Sequence, residues 1–144
     1  MVLMPKVTHF ILHHSLTDMG SAKTFDLYHR VVKGWDCIGY HEVITREGEI
    51  QHGRDRHFKG AHAFGKNSHS IGVCIIGNFH LYEPNCTQLL ALQELYCSYC
   101  KIYSRELIID FHRMAGKENS CPGNKLDRSD LLELLYRVSP YREL

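Results

Sequence analysis

The chain has 144 residues, enough for one compact domain that buries roughly 70% of its unfolded surface, so no staple is needed merely to fold it. A net charge of +1 offers no footprint for nucleic acid or an acidic membrane, and no run approaches the ~18 apolar residues of a membrane span. Six irregularly spaced cysteines point to a reducing compartment rather than a disulfide framework, and eleven histidines favour a metal site or acid–base chemistry.

In chain order, Met1 to Leu12 is apolar with one lysine, but it lacks a small-residue cleavage site and runs straight into His13-His14-Ser15. It reads as a core strand, with Val7 to Leu12 apolar on both faces, and not as an export signal. Ser21 caps a helix running to about Lys33, where Gly34 ends it, and Phe25, Tyr28 and Val32 form its expected buried face. Tyr40 to Thr45 and Glu49 to His52 flank Arg46-Glu47-Gly48, the pattern of a hairpin. Arg54 to Ser68 reads as a long surface loop, its Arg54-Asp55-Arg56-His57 patch solvated by default, and Ser70 to Ile76 as a second buried strand. A helix from about Gln88 to Tyr103 turns Leu89, Leu92, Tyr96, Tyr99 and Tyr103 inward, with Cys97 and Cys100 inside it as small packing residues. Leu107 to Phe111 is a short strand, Met114 to Lys125 an irregular loop, and Asp127 caps a last helix that buries leucines between 131 and 135. The expectation is a single α/β domain over 1–144, a mixed central sheet of about five strands with helices packed on its faces.

His13 and His112 each stand at the C-terminal end of an apolar strand. If those strands run side by side and parallel, both imidazoles emerge at the sheet edge where open α/β sheets place ligands. Cys121 follows in a loop able to fold over that edge. Two imidazoles and a thiolate suit Zn2+ and leave a fourth position open, as catalytic sites do. Spacing by itself favours solvated or core histidines over a metal site.

Five segments add to this reading: Leu12-His13-His14-Ser15; Gly34-Trp35 through Ile38-Gly39-Tyr40-His41; Gly60-Ala61-His62-Ala63; Asn67 through Ser70-Ile71-Gly72-Val73; and Cys121-Pro122-Gly123. In that order, across about residues 7 to 135, the chain resembles the type 2 N-acetylmuramoyl-L-alanine amidases, which include bacteriophage amidases and animal peptidoglycan recognition proteins. The resemblance implies zinc ligation by His13, His112 and Cys121. It also implies that Tyr40 hydrogen-bonds the oxyanion of amide hydrolysis. It places His62 near the site, orienting a ligand or touching substrate, with plain loop packing as the alternative, while His14 and His41 read as structural or supporting residues facing away.

Two departures stand out. Asn119 occupies a position where the family often carries lysine or threonine; an asparagine can donate a hydrogen bond to an oxyanion but cannot act as a base. His112 is followed by Arg113-Met114 where Arg-Asp is common, which leaves Glu118 as a stand-in proton carrier only if the loop is shifted. The expected activity is hydrolysis of the amide between N-acetylmuramic acid and L-alanine in peptidoglycan or muropeptides. The alternative is a module that binds those fragments without cutting them. A monomer is expected, made in the cytoplasm with no export signal of its own and reaching the cell wall by a separate route.

Overall fold

A computed structural model describes residues 1–114 and 120–142. Its elements are β1 (His9–His14), α1 (Ala22–Val31), β2 (Glu42–Ile44), β3 (Ile50–His52), β4 (Ser70–Ile75), α2 (Cys86–Tyr103), β5 (Ile108–Phe111) and α3 (Arg128–Tyr136). One five-stranded sheet runs in the order β3-β2-β4-β1-β5. Strand β1 pairs in parallel with both β4 and β5, β2 pairs in parallel with β4, and only β3 is antiparallel, closing the hairpin expected around Arg46-Glu47-Gly48. The mixed α/β sheet read from the sequence is therefore the fold.

Alternation along the central strands sorts residues to two faces. Phe10 and Leu12 of β1 and Ile71, Val73 and Ile75 of β4 enter the main core with Leu92, Tyr96, Tyr99, Leu131 and Leu135 from α2 and α3. The opposite face is smaller: Ile38, Val43, Cys74 and Ile76 pack against Ala22, Phe25 and Tyr40. His13 has the parity of this second face. Among the described residues no helix is long and apolar enough to cross a membrane.

Several local expectations shift. Strand β1 starts and ends two residues later than Val7 to Leu12, because its parallel ladder with β4 continues through His13–Cys74 and His14–Ile75. Both histidines thus lie within the strand, and the ladder fixes where they point. Helix α1 has the expected Ser21 cap, made with Thr24 as a capping box. Its predicted buried face holds only at Phe25: Tyr28 is 47% and Val32 64% exposed. The stripe that touches the sheet is instead Ala22, Phe25 and His29, and the histidine is buried because its Nδ1 accepts the Gly39 N–H at 2.9 Å. Helix α2 begins at Cys86 behind an Asn85 cap; Gln88 is buried and its amide donates to the carbonyls of Thr45 and Ile76.

Arg54 corrects the expectation of a solvated loop. The residue is 9% exposed, and its guanidinium donates to the carbonyls of Ile38, Lys59 and Cys37. A buried charge persists where its donors are satisfied, and here three carbonyls from two loops do so. The segment after β3 is tied to the second face of the sheet, which brings residues 60–63 inward.

Candidate functional site

The ladder β1–β5 brings the two strand-end histidines together. His112 opens a 3-10 turn directly after β5, and its ring centroid lies 4.5 Å from that of His13. Cys121 arrives from the loop before α3, anchored by Arg113 N–H to Cys121 O at 3.0 Å and Lys125 N–H to Phe79 O at 2.6 Å. Gly123 makes that docking possible. Its φ is +105°, and a Cβ there would lie 2.4 Å from the Phe79 carbonyl carbon. One ligand atom each from His13, His112 and Cys121 falls within 4.8 Å of the others, the one such His/Cys/acid cluster among the described residues. A single tetrahedral ion at ordinary zinc–nitrogen and zinc–sulfur distances of about 2.0–2.3 Å would hold such atoms about 3.3–3.7 Å apart, so the cluster would close around it by up to about 1 Å.

The donor chemistry fits a soft divalent cation. Burial, with the neighbouring histidines His62, His112 and His14, drives His13 well below the usual imidazole range, so it is held neutral as a ligand must be. Burial also lowers His112. Burial pushes the Cys121 thiol up to about 11, opposed by the His14 N–H that donates to its sulfur at 3.3 Å and by Arg113. A thiol so raised is deprotonated at neutral pH by an adjacent metal cation.

Tyr40 stands beside this cluster, its ring centroid 5.1 Å from that of His13 and braced edge-on by Phe25 at 5.7 Å. Burial, Cys74 and Cys121 raise its phenol well above the usual value, so the hydroxyl keeps its proton. His62 Nδ1 lies 2.9 Å from His13 Nε2. Asn119 and Glu118 lie outside the described residues.

Of the histidines next to the key positions, His14 faces away as expected, whereas His41 lies on the side of the site, its ring edge-on to His62 at 5.7 Å. Nδ1 of His14 accepts the Phe79 N–H at 3.1 Å on the sheet's other face, while its backbone N–H serves Cys121. His41 Nδ1 accepts the Gly72 N–H at 3.0 Å, and its Nε2 donates to Phe58 O at 2.8 Å. Protonating His41 would destroy an acceptor, and burial lowers it from 6.5 to about 4. Because the folded value lies below the unfolded one, its contribution is complete above pH 6.5 and is lost as pH falls through about 4. His14, lowered to about 4 by burial and His80, acts in the same direction. The metal-free protein should therefore lose on the order of 3 kcal/mol between about pH 7 and pH 4 from His41 alone. Urea denaturation at the two pH values measures this, and equal stabilities would show that His41 is not held neutral.

Three supporting residues carry no motif of their own. Asn67 Oδ1 accepts the N–H groups of His62 and Ala63 at 2.9 and 2.8 Å and pins the loop under the site. Ser70 reaches His62 from β4, and Cys74 meets the Tyr40 hydroxyl. All lie in or beside the segment from Asn67 to Val73, so the sequence signal existed as a motif whose individual roles spacing could not separate. The expected Cys97/Cys100 packing role holds for Cys100, which is buried in the core, while Cys97 is half-buried.

Residues 4–124 match the family described as N-acetylmuramoyl-L-alanine amidase. The endolysin of Enterobacteria phage K11 is 33% identical over 132 residues, covering 85% of each chain. The N-acetylmuramoyl-L-alanine amidase LysC from Clostridium intestinale superposes with a TM-score of 0.84 at 26% identity, over 91% of this chain and 86% of that one. The ectodomain complex of peptidoglycan recognition proteins LCa and LCx bound to tracheal cytotoxin superposes with a TM-score of 0.76 at 27% identity, over 86% of this chain and 79% of that one.

Proposed function

The chain belongs to the N-acetylmuramoyl-L-alanine amidase family, and from that membership we propose that it hydrolyses the amide joining the lactyl group of N-acetylmuramic acid to L-alanine, with zinc held by His13, His112 and Cys121. The observation that carries this reading is the convergence of those three donors beside the Tyr40 ring. A zinc ion there would supply Lewis-acid polarisation of the amide carbonyl and bring the attacking water's pKa down to about 7.

The chain's own groups account for the rest. His13 and His112, neutral through burial, present lone pairs without competing for protons. The His14 N–H steadies the Cys121 sulfur. Tyr40 offers an O–H toward the oxygen that gains negative charge as water adds to the carbonyl carbon. Cleavage of the carbon–nitrogen bond then leaves a lactyl carboxylate on the glycan and a free amine on L-alanine.

Digestion of purified peptidoglycan followed by mass spectrometry should yield stem peptides with an L-alanine amino terminus and intact glycan strands. New reducing ends would identify a glycosidase and overturn the reading. Tight binding of muropeptides with no release of peptide would instead favour a recognition module, the alternative to which the superposition on a tracheal cytotoxin complex lends support. The proposal includes a monomer made in the cytoplasm that meets the wall by a separate route. Light scattering of the purified chain and fractionation of producing cells test those two points.

A further inference from the structure

We infer that His62 is a positioning residue: with Ser70 it forms a one-way chain of hydrogen bonds that decides which nitrogen of His13 faces the metal cluster. The inference rests on the zinc reading above, but its physical basis is a count of protons. Ser70 Oγ donates to the Lys66 carbonyl at 2.7 Å. A hydroxyl has one proton. Toward His62 Nε2, 3.3 Å away, Ser70 Oγ is therefore left as an acceptor, so Nε2 must carry the hydrogen. The Ser70 carbonyl, which can only accept, engages the same ring.

A neutral imidazole has one N–H, and both rings are buried, His13 at 1% and His62 at 8% exposure, which favours the neutral form. With its hydrogen on Nε2, His62 presents a bare Nδ1 to His13 Nε2 at 2.9 Å, so His13 must donate there. The lone pair of His13 then resides on Nδ1, the nitrogen left for the cluster with His112 and Cys121. Reversing any link would put a proton on the ligand nitrogen.

The loop is shaped around this ring. A Cβ on Gly72 would lie 2.4 Å from His62 Cγ, and one on Gly60 would lie 2.7 Å from His62 Cδ2. Both glycines therefore clear space for an imidazole, and Asn67 fixes the backbone that carries it. The glycines of two separate motifs thereby share one purpose.

The test is long-range proton–nitrogen NMR of the metal-free, 15N-labelled chain, with zinc affinity measured by chelator competition. In the wild type His13 should be the Nε2–H tautomer; an Nδ1–H tautomer would overturn the inference. His62→Leu, which fills space without an acceptor, should show mixed His13 tautomers and a zinc Kd weakened about 10- to 100-fold. His62→Asn, whose Oδ1 can stand where Nδ1 stood, should restore the Nε2–H tautomer and most of the affinity. If the leucine variant keeps wild-type tautomer and affinity, or if the asparagine variant folds and restores neither, His62 is only packing. If the wild type shows the expected tautomer yet binds no zinc, the relay stands and the zinc amidase reading fails.

Discussion

Cys121→Ala should give a folded chain that retains no zinc and hydrolyses peptidoglycan more than about 10³-fold more slowly than wild type, a loss larger than the 10- to 100-fold cost of removing an outer-shell partner. Cys121 supplies the one anionic donor in the cluster, so its removal takes away charge as well as one of three ligands. The chain should survive the change. The side chain is only half-buried, and the loop is held by backbone bonds to Arg113 and Phe79 that alanine leaves intact. Metal analysis and turnover read the main effect, and thermal denaturation supplies an internal control. A ligand that binds only the folded state stabilises it, so a chelator should lower the melting temperature of the wild type and leave that of the alanine variant unmoved. Near-wild-type activity in a zinc-free alanine variant would remove Cys121 from the mechanism.

The candidate donor trio was legible from the family resemblance, and coarse features of the chain agree with it. Apolar runs ending in His13 and His112 imply strands, and parallel neighbours deliver their ends to one sheet edge, which the β1–β5 ladder bears out. Loop geometry was harder to read. Arg54 looked solvated because an arginine among Asp55, Arg56 and His57 is usually a surface charge; its burial depends on the Lys59 carbonyl of its own loop and on those of Cys37 and Ile38 from the loop before β2. Helix α1 shows the same limit in another form. Periodicity correctly located the helix and its cap, but the stripe facing the sheet includes a histidine, and a hydrophobic pattern cannot see the Gly39 N–H that makes His29 welcome there. His62 was visible as part of a motif, whereas its role turns on the direction of a proton chain through Ser70 and Lys66 that only coordinates reveal.

Tyr40→Phe should lower turnover by about 10²-fold or more while zinc content and stability stay close to wild type, since loss of one oxyanion donor typically costs that much. The substitution deletes a single oxygen and keeps the ring, so the packing against Phe25 and His13 remains. Two features of the site make the effect specific to the transition state. Burial and the neighbouring thiols hold the phenol well above its usual pKa, so across the working pH range the hydroxyl is a donor and never a competing anion. The groups that orient it, Cys74 on β4 and the aromatic bracket from α1, belong to the sheet and helix rather than to the loop that carries Cys121. A hydrogen bond made chiefly to developing charge lowers kcat when lost and leaves KM little changed. The expected signature is therefore a fall in kcat with nearly constant KM, one bound zinc per chain and an unshifted melting temperature. A rise in KM with kcat preserved would assign Tyr40 to substrate binding, and wild-type values of both would return it to the packing of the second face of the sheet.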